Sequence, residues 1–141
     1  MAITKINGGV TAPKGFLASG LNAGIKNQTK KDMAMVFSST PCAAAGVFTT
    51  NLVKAAPVKW DKELVTTSPY VQAVVVNSGI ANACTGAEGL GYCADTAAEA
   101  ASALNIPKTA VLVASTGVIG KQLPIDKIKS GVTALSKVLG S

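Results

Sequence analysis

Two short stretches hold the residue types from which an uncharged catalytic or binding site could be assembled. Ser115-Thr116-Gly117-Val118-Ile119-Gly120-Lys121-Gln122 follows an apolar run and combines hydroxyls, glycines and one lysine. A phosphate-binding loop needs glycine where Ser115 stands and Ser or Thr where Gln122 stands, so two fixed positions of that motif fail. What remains is a cup of backbone N–H and hydroxyl donors at a strand end, suited to a developing oxyanion; a plain strand-to-helix turn is the competing reading. The second stretch, Asn77-Ser78-Gly79-Ile80-Ala81-Asn82-Ala83-Cys84-Thr85-Gly86, offers hydrogen bonds without charge, and here an elaborate turn and helix cap competes. The spacing of Gly86, Gly89 and Gly91 does not fit a dinucleotide fingerprint. Lys121 reads as a surface residue.

Both stretches sit where strands should end. Val71 to Val76 is a near-continuous apolar run, which predicts a strand buried on both faces. Val111 to Ala114 predicts a second buried strand. Between them, Thr96-Ala97-Ala98-Glu99 has capping-box spacing and predicts a helix from there to about Leu104, ended by Asn105 and Pro107. Pro124 suits the first turn of a further helix, with Ile125, Ile128, Val132, Leu135 and Leu139 forming one apolar stripe and Gly140 at its end. Upstream, Leu21 to Ile25 pairs in expectation with Met33 to Ser38 through a lysine-rich turn. Gly46 to Thr50 is rich in β-formers, and Lys54 to Trp60 reads as an edge strand because of Pro57. The order, β-rich first and β-α-β-α later, predicts a mixed α+β layered fold. Ligands usually bind where such strands end in glycine turns.

Composition removes several function classes. At 141 residues the chain fits one domain and can bury about two thirds of its unfolded surface. Hydrophobic residues are 48%, but only 4% are aromatic, so the core is thin, or is completed by another polypeptide. All 13 basic residues are lysine and the net charge is +6. Without arginine there is no bidentate fork for guanine or phosphate, and the cluster Lys26, Lys30, Lys31 reads as a solvated hairpin tip. No nucleic-acid partner is expected. There is no histidine, which excludes a Ser-His-Asp triad and removes the commonest zinc ligand. Cys42, Cys84 and Cys93 form no CxxC pair and are expected to be reduced and mostly buried, so no metal site is expected. No apolar run approaches the roughly 18 residues needed to span a bilayer, and Met1 to Gly15 has no signal-peptide pattern. A cytoplasmic location with no membrane partner is the expectation, and the acceptor-like Asn27-Gln28-Thr29 would then stay unglycosylated.

Four separate motifs, in order, carry a resemblance. They are Gly8-Gly9-Val10-Thr11-Ala12-Pro13-Lys14-Gly15-Phe16; Ala44-Ala45-Gly46-Val47-Phe48-Thr49-Thr50-Asn51; Asn77-Ser78-Gly79 with Ala81-Asn82-Ala83-Cys84-Thr85-Gly86; and Ser115-Thr116-Gly117-Val118-Ile119-Gly120. Together they resemble the ornithine acetyltransferase family, the bifunctional glutamate N-acetyltransferases of arginine biosynthesis. Ile80 stands where the family pattern leads one to expect asparagine.

The resemblance implies a layered α/β sandwich of the type shared with DmpA-like proteins, mixed sheets flanked by helices. It also implies a precursor that cuts itself before a threonine into α and β chains. The freed threonine takes acetyl from N-acetylornithine and passes it to glutamate, with its own α-amino group, of reference pKa near 8, as general base. By the same resemblance, Thr116 (hydroxyl) and Gly117 (backbone N–H) match the oxyanion hole, and Asn77, Asn82 and Thr85 are supporting groups nearby. Residues 1–141 then form a single domain, the α-chain part of a larger self-cleaved enzyme, stopping before the nucleophile and the cleavage motif. The implied partner is the β chain of the same precursor, in αβ units assembling as α2β2. No cofactor is implied; acetyl-CoA is a second acetyl donor in bifunctional members, and the residues separating the two kinds are not identifiable in this stretch. A related self-cleaving aminopeptidase-type hydrolase, or a non-catalytic binding domain, stand as alternatives.

Overall fold

A computed structural model describes residues 3–27 and 29–141; the Gln28 of the acceptor-like tripeptide lies outside the described residues. Four strands form one mixed sheet in the order β1-β2-β3-β4: β1 (Phe16–Leu21), β2 (Met33–Cys42), β3 (Val71–Asn77) and β4 (Val111–Ser115). β1 pairs antiparallel with β2 and β2 antiparallel with β3, whereas β3 and β4 run parallel, with Asn77 opposite Ser115. Three helices complete the chain: α1 (Ala56–Thr67), α2 (Gly86–Leu104) and α3 (Ile125–Ser136). The chain is thus α+β, with helices layered on a mixed sheet.

The sheet has two unlike faces. Met33, Met35, Ala73, Val75, Val111 and Val113 point to the helices and are buried. Ile128, Val132 and Leu135 of α3 and Ala97 and Ala100 of α2 meet them from the other side. The buried stripe of α2 (Gly89, Cys93, Thr96, Ala97, Ala100, Ala101) is made of small residues, which lets the helix lie close to its neighbours. The opposite face, with Val36, Val74, Val76, Leu112 and Ala114, is apolar but only half-buried. β3 therefore alternates between buried and half-buried positions rather than being covered on both sides.

Several other expectations are corrected. The hairpin exists, but its first strand is Phe16–Leu21, not Leu21–Ile25. Residues 22–32 instead form a connection folded around Asp32, whose carboxylate accepts the N–H groups of Ala23 (2.7 Å), Ile25 (2.7 Å) and Lys26 (2.9 Å). Burial raises the Asp32 pKa, but those N–H donors outweigh it and hold the carboxyl below its ordinary value. Gly46 to Thr50 forms no strand. Lys54 to Trp60 belongs mostly to α1, where Pro57 occupies the first turn and needs no N–H acceptor. α2 begins at Gly86, ten residues before the capping-box spacing, and Thr96 lies mid-helix with its hydroxyl donated to Tyr92 O. Asn105 does end α2, in the left-handed region at φ 54°, with its N–H on Ala101 O. Gly140 lies past the end of α3 and exchanges two backbone hydrogen bonds with Ala18 of β1.

α1 closes one margin of the sheet. The outward-facing polar groups of edge strand β4 are met by side chains: Trp60 Nε1 donates to Val111 O (3.1 Å) and Val113 N donates to Asp61 Oδ1 (3.0 Å). Burial pushes the Asp61 carboxyl up to about 6 despite the lowering effect of the Val113 N–H. Burial, and then the adjacent Asp61 charge, push the Cys93 thiol up to about 12. Of the three free cysteines only Cys93 is buried; Cys42 is half-buried and Cys84 exposed. Among the described residues, no helix is long and apolar enough to cross a membrane.

Candidate active site

The parallel pairing of β3 and β4 delivers two loops side by side, residues 78–85 and 116–124, and their contacts continue past the strand ends. Thr116 N donates to Asn77 O (3.1 Å), Val118 N to Gly79 O (3.0 Å), Ala81 N to Val118 O (2.8 Å) and Gly120 N to Ala83 O (3.0 Å). Side chains join the same network. Asn77 Nδ2 donates to Ile80 O (2.9 Å), and Ser115 Oγ both accepts from Asn82 N (2.9 Å) and donates to Ile80 O (3.2 Å).

The five residues expected at the site fall into two groups. Asn77, Asn82 and Thr85 are at most 6% exposed, and their side chains are engaged internally. Asn82 Nδ2 donates to Gly89 O (2.8 Å) and to Cys93 Sγ (3.3 Å), its Oδ1 accepts from Thr85 Oγ1 (2.7 Å), and its carbonyl accepts from Ala56 N (3.2 Å). Asn82 thereby links the first turns of α1 and α2 to the end of β4. A Cβ on Gly89 would overlap Thr85 Oγ1, so glycine at this point of α2 is what admits the pair.

Thr116 and Gly117 form the other group. Both are exposed, and neither the Thr116 hydroxyl nor the Gly117 N–H has a hydrogen-bond partner among the described residues. Gly117 has φ +128°, and a Cβ there would collide with the carbonyl of Gly79 and lie 2.6 Å from Ile80 N. Only glycine permits this approach of the two loops. Gly79, at φ +110°, has an equally special conformation. Two unengaged donors on adjacent residues, held at a crossing that only glycine permits, suit a developing oxyanion.

Comparison with known proteins identifies the family. The family model described as "ArgJ family" matches residues 17–140. This chain belongs to the ArgJ family. It is 50% identical over 128 residues to the arginine biosynthesis bifunctional protein ArgJ of Thermotoga neapolitana, covering 90% of this chain and 32% of that protein. The ArgJ protein of Symbiobacterium thermophilum is 53% identical over 134 residues, 94% of this chain and 33% of that one. The chain thus spans about a third of the length of the curated relatives it matches. Among solved structures it resembles ornithine acetyltransferase of Mycobacterium tuberculosis complexed with ornithine, with TM-score 0.89 and 47% identity, covering 94% of this chain and 71% of that one. ArgJ of Bacillus halodurans follows with TM-score 0.85 and 44% identity, covering 89% and 65% of the two chains.

Two side chains that tie these elements together carry no signal in residue type alone. Ser115 stood inside a recognised stretch, but nothing local marks its hydroxyl as a bridge to residues about 33 positions upstream. Asp61 lies just past the segment Lys54 to Trp60 that reads as strand, and its link to Val113 crosses 52 positions.

Proposed function

We propose that this chain supplies the oxyanion-binding half of an acetyl-transfer site in an ArgJ protein of arginine biosynthesis. A threonine carried by the remaining part of such a protein, freed by self-cleavage, attacks the acetyl carbonyl of N-acetylornithine. Its α-amino group takes the hydroxyl proton. Charge gathers on the carbonyl oxygen as the tetrahedral adduct forms, and the Thr116 hydroxyl and Gly117 N–H donate to it. Collapse releases ornithine and leaves acetyl-threonine, which glutamate attacks through the same sequence of steps. The observation that carries this reading is the pair of unengaged donors at the Gly117–Gly79 crossing. Asn77, Asn82 and Thr85 support the site from within, as their internal hydrogen bonds suggest.

The half-buried apolar sheet face is then the surface on which the rest of the polypeptide packs, making the chain the α-chain part of αβ units that assemble as α2β2 in the cytoplasm. The relatives' name, "bifunctional", favours acetyl-CoA as a second donor for glutamate acetylation. The test is transfer of labelled acetyl from N-acetylornithine to glutamate by the full-length protein carrying this sequence, with Thr116→Ala beside it. Transfer that falls about 10²–10³-fold in the variant is expected. Wild-type protein without transfer, or a variant equal to wild type, would refute the reading.

A further inference from the structure

Ser115 closes β4, and its hydroxyl meets two backbone groups of the neighbouring loop at once. It accepts from Asn82 N at 2.9 Å and donates to Ile80 O at 3.2 Å. Those two groups flank Ala81. In a parallel ladder, a single residue's N–H and C=O would take that same pair, so the hydroxyl stands in for a backbone residue opposite Ala81. Val118 performs the equivalent pairing around Ile80 with real backbone groups, its N–H on Gly79 O and its C=O accepting from Ala81 N. Residues 79–82 are therefore gripped twice by one tetrapeptide, through the Ser115 side chain at its start and the Val118 backbone at its end. The span between the two grips is Thr116-Gly117.

We infer that Ser115 is a positioning residue for the oxyanion donors, an assignment that rests on the acetyl-transfer reading above. It touches neither substrate nor reacting atoms. It braces the start of the Thr116-Gly117 span together with the Thr116 N–Asn77 O hydrogen bond, while backbone hydrogen bonds of Val118 fix the other end. Gly79 and Gly117 both have positive φ, at +110° and +128°, so the regular ladder breaks between the Thr116 N–Asn77 O bond and the Val118 pairing, and the Ser115 hydroxyl bridges that break. The task requires one donor and one acceptor on the same atom, which a hydroxyl has and a methyl lacks. Loss of the grip lets the span move by fractions of an ångström while Val118 and the Asn82 side chain keep the loops folded, and displacement on that scale is costly to a transfer reaction.

The experiment compares wild type, Ser115→Ala and Ser115→Thr in the full-length protein, measuring kcat and KM for acetyl transfer and amide exchange at Asn82 and Val118. Ser115→Ala should lower kcat by about ten- to hundredfold with KM within about twofold, and Asn82 N–H should exchange faster than in wild type. Ser115→Thr, which keeps donor and acceptor, should restore kcat to within about threefold of wild type. If the alanine variant does not fold, Ser115→Cys, close in shape but a weak donor and acceptor, must show the loss instead. An active wild type with an equally active Ser115→Ala, or a threonine variant as impaired as the alanine one, overturns this inference alone. A wild type without acetyl transfer overturns the acetyl-transfer reading and this one with it.

Discussion

The loops that follow β3 and β4 are neighbours in space and nearly equal in polar content, yet they use their polar groups in opposite ways. Residues 78–85 turn theirs inward: Asn82 and Thr85, with Asn77 before them, are buried and hydrogen-bonded. Residues 116–120 leave Thr116 and Gly117 exposed, with donors unengaged among the described residues. On the acetyl-transfer reading, the satisfied loop is the frame and the unsatisfied one is the tool. Composition alone could not have sorted them, since both mix asparagine or threonine with glycine at a strand end.

The comparison can be broken most sharply at the crossing itself. Gly117→Ala places a methyl into the Gly79 carbonyl at a φ of +128°. Acetyl transfer should fall by more than about 10³-fold, with a drop in Tm, because frame and tool separate together. Thr116→Ala should cost nearly as much activity, about 10²–10³-fold, yet leave the melting temperature within about a degree, since that hydroxyl supports nothing in the fold. Kinetics and thermal melts on the same preparations would separate the two, and a large Tm loss in Thr116→Ala would place threonine in the frame.

On the frame side, Asn82→Ala leaves the buried Thr85 hydroxyl without its acceptor and removes the ties to Gly89 O and Cys93 Sγ. A stability loss of about 2–3 kcal/mol in denaturant melts is expected, with activity falling in proportion to the folded fraction. Undiminished stability would show that the frame does not depend on this hub.

The smallest effect lies behind the frame, at Asp61. Its folded pKa of about 6 lies above the ordinary 3.8, so the proton is held better in the folded state. That contribution is complete below about pH 3.8 and is lost as pH rises through 6. Asp61→Asn keeps an acceptor for Val113 N–H without the charge. It should therefore match wild type in stability near pH 3.5 and exceed it by roughly 1 kcal/mol at pH 7.5, the shift being discounted for solvent screening. Equal melting temperatures at both pH values would contradict the buried-charge account.

How much could be read in advance followed from how local each signal is. β3, β4 and α3 have their determinants within their own spans: apolar runs for the strands, and the stripe Ile128, Val132, Leu135 behind Pro124 for the helix. The start of α1 reads as strand because Val58 and Trp60 are β-formers and Pro57 fits an edge strand as well as a first helical turn. The first ten residues of α2 carry Gly86, Gly89 and Gly91, poor helix formers, of which only Gly89 packs closely, against Thr85, Asn82 and Ala56 of α1. Partial cover of β3 was illegible because an apolar run looks alike whether its second face meets this chain or another. Thr116 and Gly117 were located through family resemblance. The grip of Ser115 and the hub at Asn82 appear only once residues 80–93 and 115–118 are brought together.

Trp60 and Asp61, which occupy the outward rung of β4, have a consequence for how this sheet can grow. A strand seeking to add beside β4 would find its carbonyl at Val111 and its amide at Val113 already taken, and a helix lying across the approach. At the opposite margin Gly140 already pairs with Ala18, in antiparallel sense. The sheet is thus capped at both margins, by side chains of α1 along β4 and by the backbone of Gly140 at Ala18 of β1.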